Sequence, residues 1–117
     1  MMHTDLEVWK AAIDLAVEVY TTTENLPREE RYGLTTQMRR AASSIPSNIS
    51  EGAARDTKRD MRRFFLIARG SLKEVETQLI LCERLRFLHT DDVSRVKALT
   101  AKTGKLLNGL IRKYRES

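Results

Sequence analysis

From residue 58 to about residue 87 an apolar side chain returns every three or four positions: Met61, Phe64, Ala68, Leu72, Val75 and Leu79. That period is the signature of one long amphipathic helix, and it excludes the two-residue alternation of a half-buried strand. A single helix of about 30 residues would span roughly 45 Å. It cannot be stable alone, so the rest of the chain must cover its apolar face. Thr57 and Asp60 are placed to cap its start.

Three other runs share the period. The first opens at TDLE, where Thr4 and Glu7 fit a capping box, and continues to about Thr22 through Trp9, Ala12, Ile13, Ala16, Val19 and Tyr20. Val8 and Leu15 widen its face beyond what one neighbour needs. ENLPREERYG, with Pro27 and Gly33, breaks the pattern. The last run starts at Thr90, with Asp91 and Asp92 in its first turn, and aligns Val93, Val96, Leu99, Thr103, Leu106, Leu110 and Tyr114. Gly104 and Gly109 lower its intrinsic propensity by about 1 kcal/mol each, so it depends on packing.

The second run carries Pro46 at its centre, in RRAASSIPSNISEGAAR. Leu34, Met38, Ala41, Ala42, Ile45, Ile49 and Ala53 keep helical phase on both sides of the proline, which a loop would have no reason to preserve. The spacing predicts one helix over residues 35–53, kinked at Pro46 to relieve the clash with the carbonyl of Ala42. Ser43 or Ser44 is placed to satisfy backbone groups freed there. Gly52 to Asp56 then turns the chain. The expected architecture is all-α, an antiparallel up-down four-helix bundle filling one domain over residues 1–117.

Composition narrows the function classes. Only 6% of the 117 residues are aromatic, and there are 5 Gly and 2 Pro, too few turn formers for a β-sandwich. Cys82 is the single cysteine, so no internal disulfide forms. No signal pattern or membrane-length apolar run occurs, and a cytoplasmic location is expected. The net charge of +5 is unevenly spread. Residues 1–54 hold 5 Lys and Arg against 8 Asp and Glu, a balance of −3, and residues 55–117 hold 16 against 8, a balance of +8.

That excess concentrates in RDTKRDMRRFFLIARGSLK. On a helical wheel Arg55, Lys58, Arg59, Arg62, Arg69 and Lys73 fall in a wedge of roughly 100° beside the apolar face. Such a stripe suits a phosphate backbone, because guanidinium groups bind phosphate oxygens bidentately. The alternative is a solvated face partly neutralised by Asp56 and Asp60. Leu66 projects from within the wedge and suits a protein contact. No RNA-binding signature or aromatic platform accompanies the stripe.

Ser71, Glu74 and Gln78 form a polar row beside the core face. Buried polar groups need partners, and Arg39, Arg40 and Glu51 are the candidates, within the chain or across subunits. Glu51 and Glu74 lack the catalytic companions that a general acid or base needs, so no enzymatic activity and no cofactor are expected. His3 and His89 stand apart without metal-ligand spacing, and no metal site is expected. His89 belongs to the turn before the last helix. Cys82 and Trp9 read as core residues, and Gly70-Ser71 as a close-packing point.

The runs ERYGLTTQMRRAASSIPSNISEG and FLIARGSLKEVETQL, with DLEVWKAA and YTTTENLP upstream, give the chain a further identity. Across roughly residues 5–88 it resembles the bacterial four-helix-bundle family encoded in intervening sequences of large-subunit ribosomal RNA genes. The resemblance implies a four-helix bundle assembled as a ring-like homopentamer, with a role tied to RNA or other nucleic acid. It carries over no catalytic residues. The family's characteristic polar positions fall on Arg39, Arg40, Asn48, Glu51, Glu74, Glu76, Thr77 and Gln78. Cys82 replaces a usual Ala, and Arg86-Phe87 replaces a Gly followed by an aromatic, which removes the expected glycine stop of the third helix.

Two functions are therefore set against each other. One is a non-enzymatic nucleic-acid-binding oligomer acting through the basic stripe. The other is a structural or adaptor oligomer acting through protein contacts alone.

Overall fold

The structure, a computed structural model, describes residues 3–115, with only the backbone at His3 and Thr4. Four helices follow in order: α1 (His3–Thr23), α2 (Leu34–Ala53), α3 (Lys58–Arg84) and α4 (Thr90–Lys113). A short 3-10 turn (Arg28–Glu30) lies in the α1–α2 connection. Each helix packs on its neighbours in sequence, and α4 closes the ring on α1, while the diagonal pairs make no close backbone approach. Specific contacts fix the antiparallel sense. The end of α2 meets the start of α3 at Gly52 and Phe65. The end of α3 meets the start of α2 at Cys82 and Met38. The end of α4 meets the start of α1 at Tyr114 and Asp5.

The helix α2 passes through Pro46 as one element, and Pro46 is buried within it. Neither nearby serine turns to the carbonyl of Ala42. Ser43 Oγ donates to the Arg40 carbonyl at 3.2 Å, and Ser44 Oγ lies 2.9 Å from Ser71 Oγ on α3. Asn48 Nδ2 donates to both the carbonyl and the hydroxyl of Ser44, at 2.8 and 2.9 Å. Ser44 and Ser71 thus tie α2 to α3.

The buried faces are rotated slightly from those the period suggests. Phe65, not Phe64, is the core aromatic of α3 and is fully buried. On α4 the core takes Thr100, Leu107 and Ile111, while Leu99 and Leu106 are only partly buried. Both shifts follow from a helix touching two neighbours, so that its buried arc is centred between them and is wider than one apolar stripe. Trp9 is half-buried against the core, and Tyr20 is exposed.

Glycine usage also differs from expectation. Gly52 sits inside α2 rather than in a turn, and a Cβ there would lie 2.6 Å from Phe65 Cε1 and 3.0 Å from the Met61 carbonyl. Gly52 is the close-packing point of the α2–α3 pair. Gly70 is not, since a Cβ on it would meet nothing within 4 Å.

Thr57 caps α3 as expected, its Oγ1 accepting from the Asp60 amide at 3.1 Å. The capping box proposed for Thr4 and Glu7 lies outside the described side chains. For α4 the cap is His89 rather than Thr90, with Asp92 Oδ2 accepting from the His89 amide at 2.9 Å. The third helix stops at Arg84, short of Phe87. Arg86 stands at the glycine position and takes the left-handed conformation itself, at φ 63°. The Phe87 amide bonds the Cys82 carbonyl at 2.9 Å and the Arg86 amide bonds the Glu83 carbonyl at 3.0 Å. These two bonds define a Schellman stop, made here without glycine.

None of the helices among the described residues is long and apolar enough to cross a membrane.

Candidate nucleic-acid interface

The six cations of the expected stripe do not share one fate. Arg55 lies in the turn after α2, not on α3. Its Nη2 is 2.6 Å from Glu51 Oε2, and its guanidinium stacks 4.7 Å over the Phe64 ring. Arg69 Nη1 donates to Asn108 Oδ1 of α4 at 3.3 Å. Lys73 Nζ lies 3.4 Å from Glu76 Oε2 on an exposed surface. Such surface pairs are worth little, about 0–1 kcal/mol, yet they reduce the free positive charge. Lys58 and Arg59 stay exposed, and Arg62 is partly buried.

Two arginines outside the expected stripe join this end of the molecule. Arg63 stands outside the wedge, with its guanidinium 4.8 Å over the same Phe64 ring. Arg115 follows α4. Together Arg59, Arg62, Arg63 and Arg115 line a depression of about 470 Å³ that also includes Asp60 and Leu66. None of the four arginines has a carboxylate partner among the described residues. Leu66, expected to suit a protein contact, is a half-buried wall of this depression. Sequence reasoning missed Arg115 because it is distant in the chain. The available signal was topological: in an up-down bundle the end of the fourth helix lies beside the start of the third.

Beneath the arginines the bundle is closed by a buried clasp. Asp5 is 2% exposed and accepts from Tyr114 Oη at 3.0 Å, while Lys113 Nζ stands 3.7 Å from its other oxygen. The Tyr114 ring packs on Phe65 with centroids 5.6 Å apart. Burial, and then the bond to Asp5, raises the Tyr114 pKa above its ordinary value. The phenol therefore remains a donor throughout the neutral range.

The polar row resolves into separate contacts. Arg39 Nε donates to Thr23 Oγ1 at 2.9 Å and its Nη2 to the Tyr20 carbonyl at 3.2 Å, so it binds α1 rather than the row on α3. Glu51 pairs with Arg55, and Ser71 with Ser44. Arg40 and Glu74 share an open groove between α2 and α3 with Gln37, Ser44 and Ser71. Gln78 is buried, and its Oε1 has no hydrogen-bond partner. Cys82 is fully buried with its Sγ 3.5 Å from Met38 Sδ. Burial, followed by the charges of Glu30 and Glu83, pushes its thiol up to about 11, which suits a core residue and not a nucleophile.

A search of curated proteins finds no match to the chain. Among solved structures, the fold resembles a protein of unknown function from the S23 ribosomal protein family of Bacteroides thetaiotaomicron. The TM-score is 0.85 at 21% identity, covering 93% of this chain and 98% of that one. That likeness shows the fold. The family profile of the 23S rRNA-intervening sequence protein matches residues 4–109, nearly the whole chain, and the chain belongs to that family.

Proposed function

We propose that the chain is a non-enzymatic cytoplasmic accessory protein that binds RNA or other nucleic acid electrostatically, through the arginines around the start of α3. The carrying observation is the convergence of Arg59, Arg62, Arg63 and Arg115 on one depression without ion-pair partners among the described residues. Holding four like charges together is unfavourable in the isolated protein, and an anionic partner reverses that repulsion. RNA is the anion that the family's name favours.

Anisotropy titrations against single-stranded RNA, structured RNA and duplex DNA across a salt series test this reading. Log affinity should fall linearly with log salt, by about 0.7 per phosphate contact on a single strand. Replacing Arg59, Arg62, Arg63 and Arg115 with alanine should abolish binding while the fold persists. Absence of binding by well-folded wild type at low salt would sink the proposal.

A second reading, assembly through protein contacts, has its own support. Ile67, Leu81 and Leu85 are exposed at 44%, 44% and 49%, and Glu74 and Gln78 fall in the same helical stripe. A homopentamer burying this stripe would cover the apolar residues and give Gln78 Oε1 a donor. Light scattering on the wild type and on Leu81→Glu tests it, with a pentamer expected to dissociate in the variant. A wild type that is monomeric at high concentration would exclude it. The two readings combine in a ring, where repeated arginine clusters add avidity.

A further inference from the structure

The cations expected to follow a phosphate backbone do not form a line. Arg55, Arg69 and Lys73 are engaged along the bundle by Glu51, Asn108 and Glu76. Lys58 stays exposed, and Arg59 and Arg62 converge with Arg63 and Arg115 on one place, where four arginines against the single acid Asp60 leave a local balance of +3. A run of phosphodiesters needs cations at successive intervals along the strand, whereas a point cluster suits one compact anion.

Two observations sharpen this. Arg62 Nε is buried and has no hydrogen-bond partner among the described residues. A donor withheld from water in this way is costly, and a small rotation of the Arg62 guanidinium towards an oxyanion in the depression would give it an acceptor. Leu66, part-buried in the wall, excludes water from one side and strengthens any charged contact made there. Guanidinium groups present paired donors that match phosphate oxygens. Against the same cations, a phosphate monoester carrying a charge of about −1.5 to −2 gains more than a singly charged diester.

We infer that this depression is a site for a terminal phosphate monoester, the 5′-phosphate end of an RNA strand. The inference rests on the nucleic-acid reading and narrows it to the end of the strand. Arg62 supplies the recessed donor, and Arg59, Arg63 and Arg115 surround the anion.

The test uses two labelled oligouridylates of equal length, one with a 5′-phosphate and one with a 5′-hydroxyl, titrated by anisotropy against the full chain. The phosphorylated strand should bind tighter by about tenfold or more, the worth of one charge-assisted contact. The preference should vanish in R59A/R115A, a variant of two exposed positions whose folding is checked by thermal melting. Inorganic phosphate should compete only in large excess over the RNA. Equal affinity for the two strands overturns the inference and leaves nucleic-acid binding standing; binding of neither overturns both. A preference that survives in R59A/R115A places the site elsewhere. Displacement by inorganic phosphate at concentrations comparable to the RNA overturns the strand-end assignment in favour of a free anion.

Discussion

The two ends of the bundle treat their charges differently. At the end formed by the α1–α2 connection and the α3–α4 turn, several basic residues hold helices together, while Arg28 and Arg31 line an open depression. Arg39 reaches Thr23 and Tyr20, Arg95 Nε lies 3.0 Å from Glu18, and Lys97 Nζ lies 2.5 Å from Glu83. At the end formed by the start of α3 and the end of α4, the inter-helix work is done by buried groups instead: Gly52 against Phe65, and Tyr114 against Asp5. The arginines above them have no carboxylate partner among the described residues. A charge already neutralised by an internal partner offers little to a ligand, and under the proposed function the end with the buried clasp is the one that takes the anion.

The largest effect should come from Gly52→Ala. Its Cβ overlaps Phe65, and overpacking of this kind costs about 1–3 kcal/mol. Chemical denaturation should register the loss, and an unchanged midpoint would mean that the α2–α3 contact at this end is looser than its geometry.

Next is Tyr114→Phe, expected to cost about 1–2 kcal/mol by leaving a buried Asp5 oxygen without its donor. It also carries a pH signature. The folded-state pKa of Tyr114 is raised above the usual 10.0, so its contribution is complete below pH 10 and is lost as the pH climbs through the folded value. The stability gap between wild type and Tyr114→Phe should therefore narrow in alkaline melts. A gap constant to high pH would show that the hydroxyl does not matter.

At the opposite end, Arg86→Gly should stabilise by about 1 kcal/mol, because it relieves a left-handed non-glycine residue within an intact Schellman stop. Thermal melting reads this directly, and a lower midpoint would mean that the Arg86 side chain contributes more than its backbone costs.

The smallest effect belongs to Arg95→Ala. Its pair with Glu18 is exposed, at 72% for the Arg95 side chain, so the change should stay within about 0.5 kcal/mol. RNA affinity should be unchanged beside the arginine-cluster variants. A comparable loss of affinity in Arg95→Ala would remove the distinction between the two ends.

The sequence by itself determined the helices, their order and the continuity of α2 across Pro46, because helical phase is a local signal carried by each segment. It also placed Thr57 at the start of α3 and Cys82 in the core. The stop at Arg86 was not legible in residue type, since an arginine does not announce a left-handed backbone. Only the tertiary structure decided between Phe64 and Phe65, which flank the centre of the apolar face on either side and are sorted by where two neighbouring helices touch α3. Packing likewise decided which arginines gather in one cluster. Arg55, Arg69 and Lys73 read as equals of Arg59 and Arg62 on a wheel, but Glu51, Asn108 and Glu76 engage them. Arg115, 56 residues beyond Arg59 in the 117-residue chain, becomes its neighbour only through the antiparallel return of α4. Periodicity along a helix is a property of the segment, and so are the local pairs Glu51–Arg55 and Lys73–Glu76. The Asn108 that engages Arg69 and the Arg115 that completes the cluster come instead from another segment, and only folding brings them together.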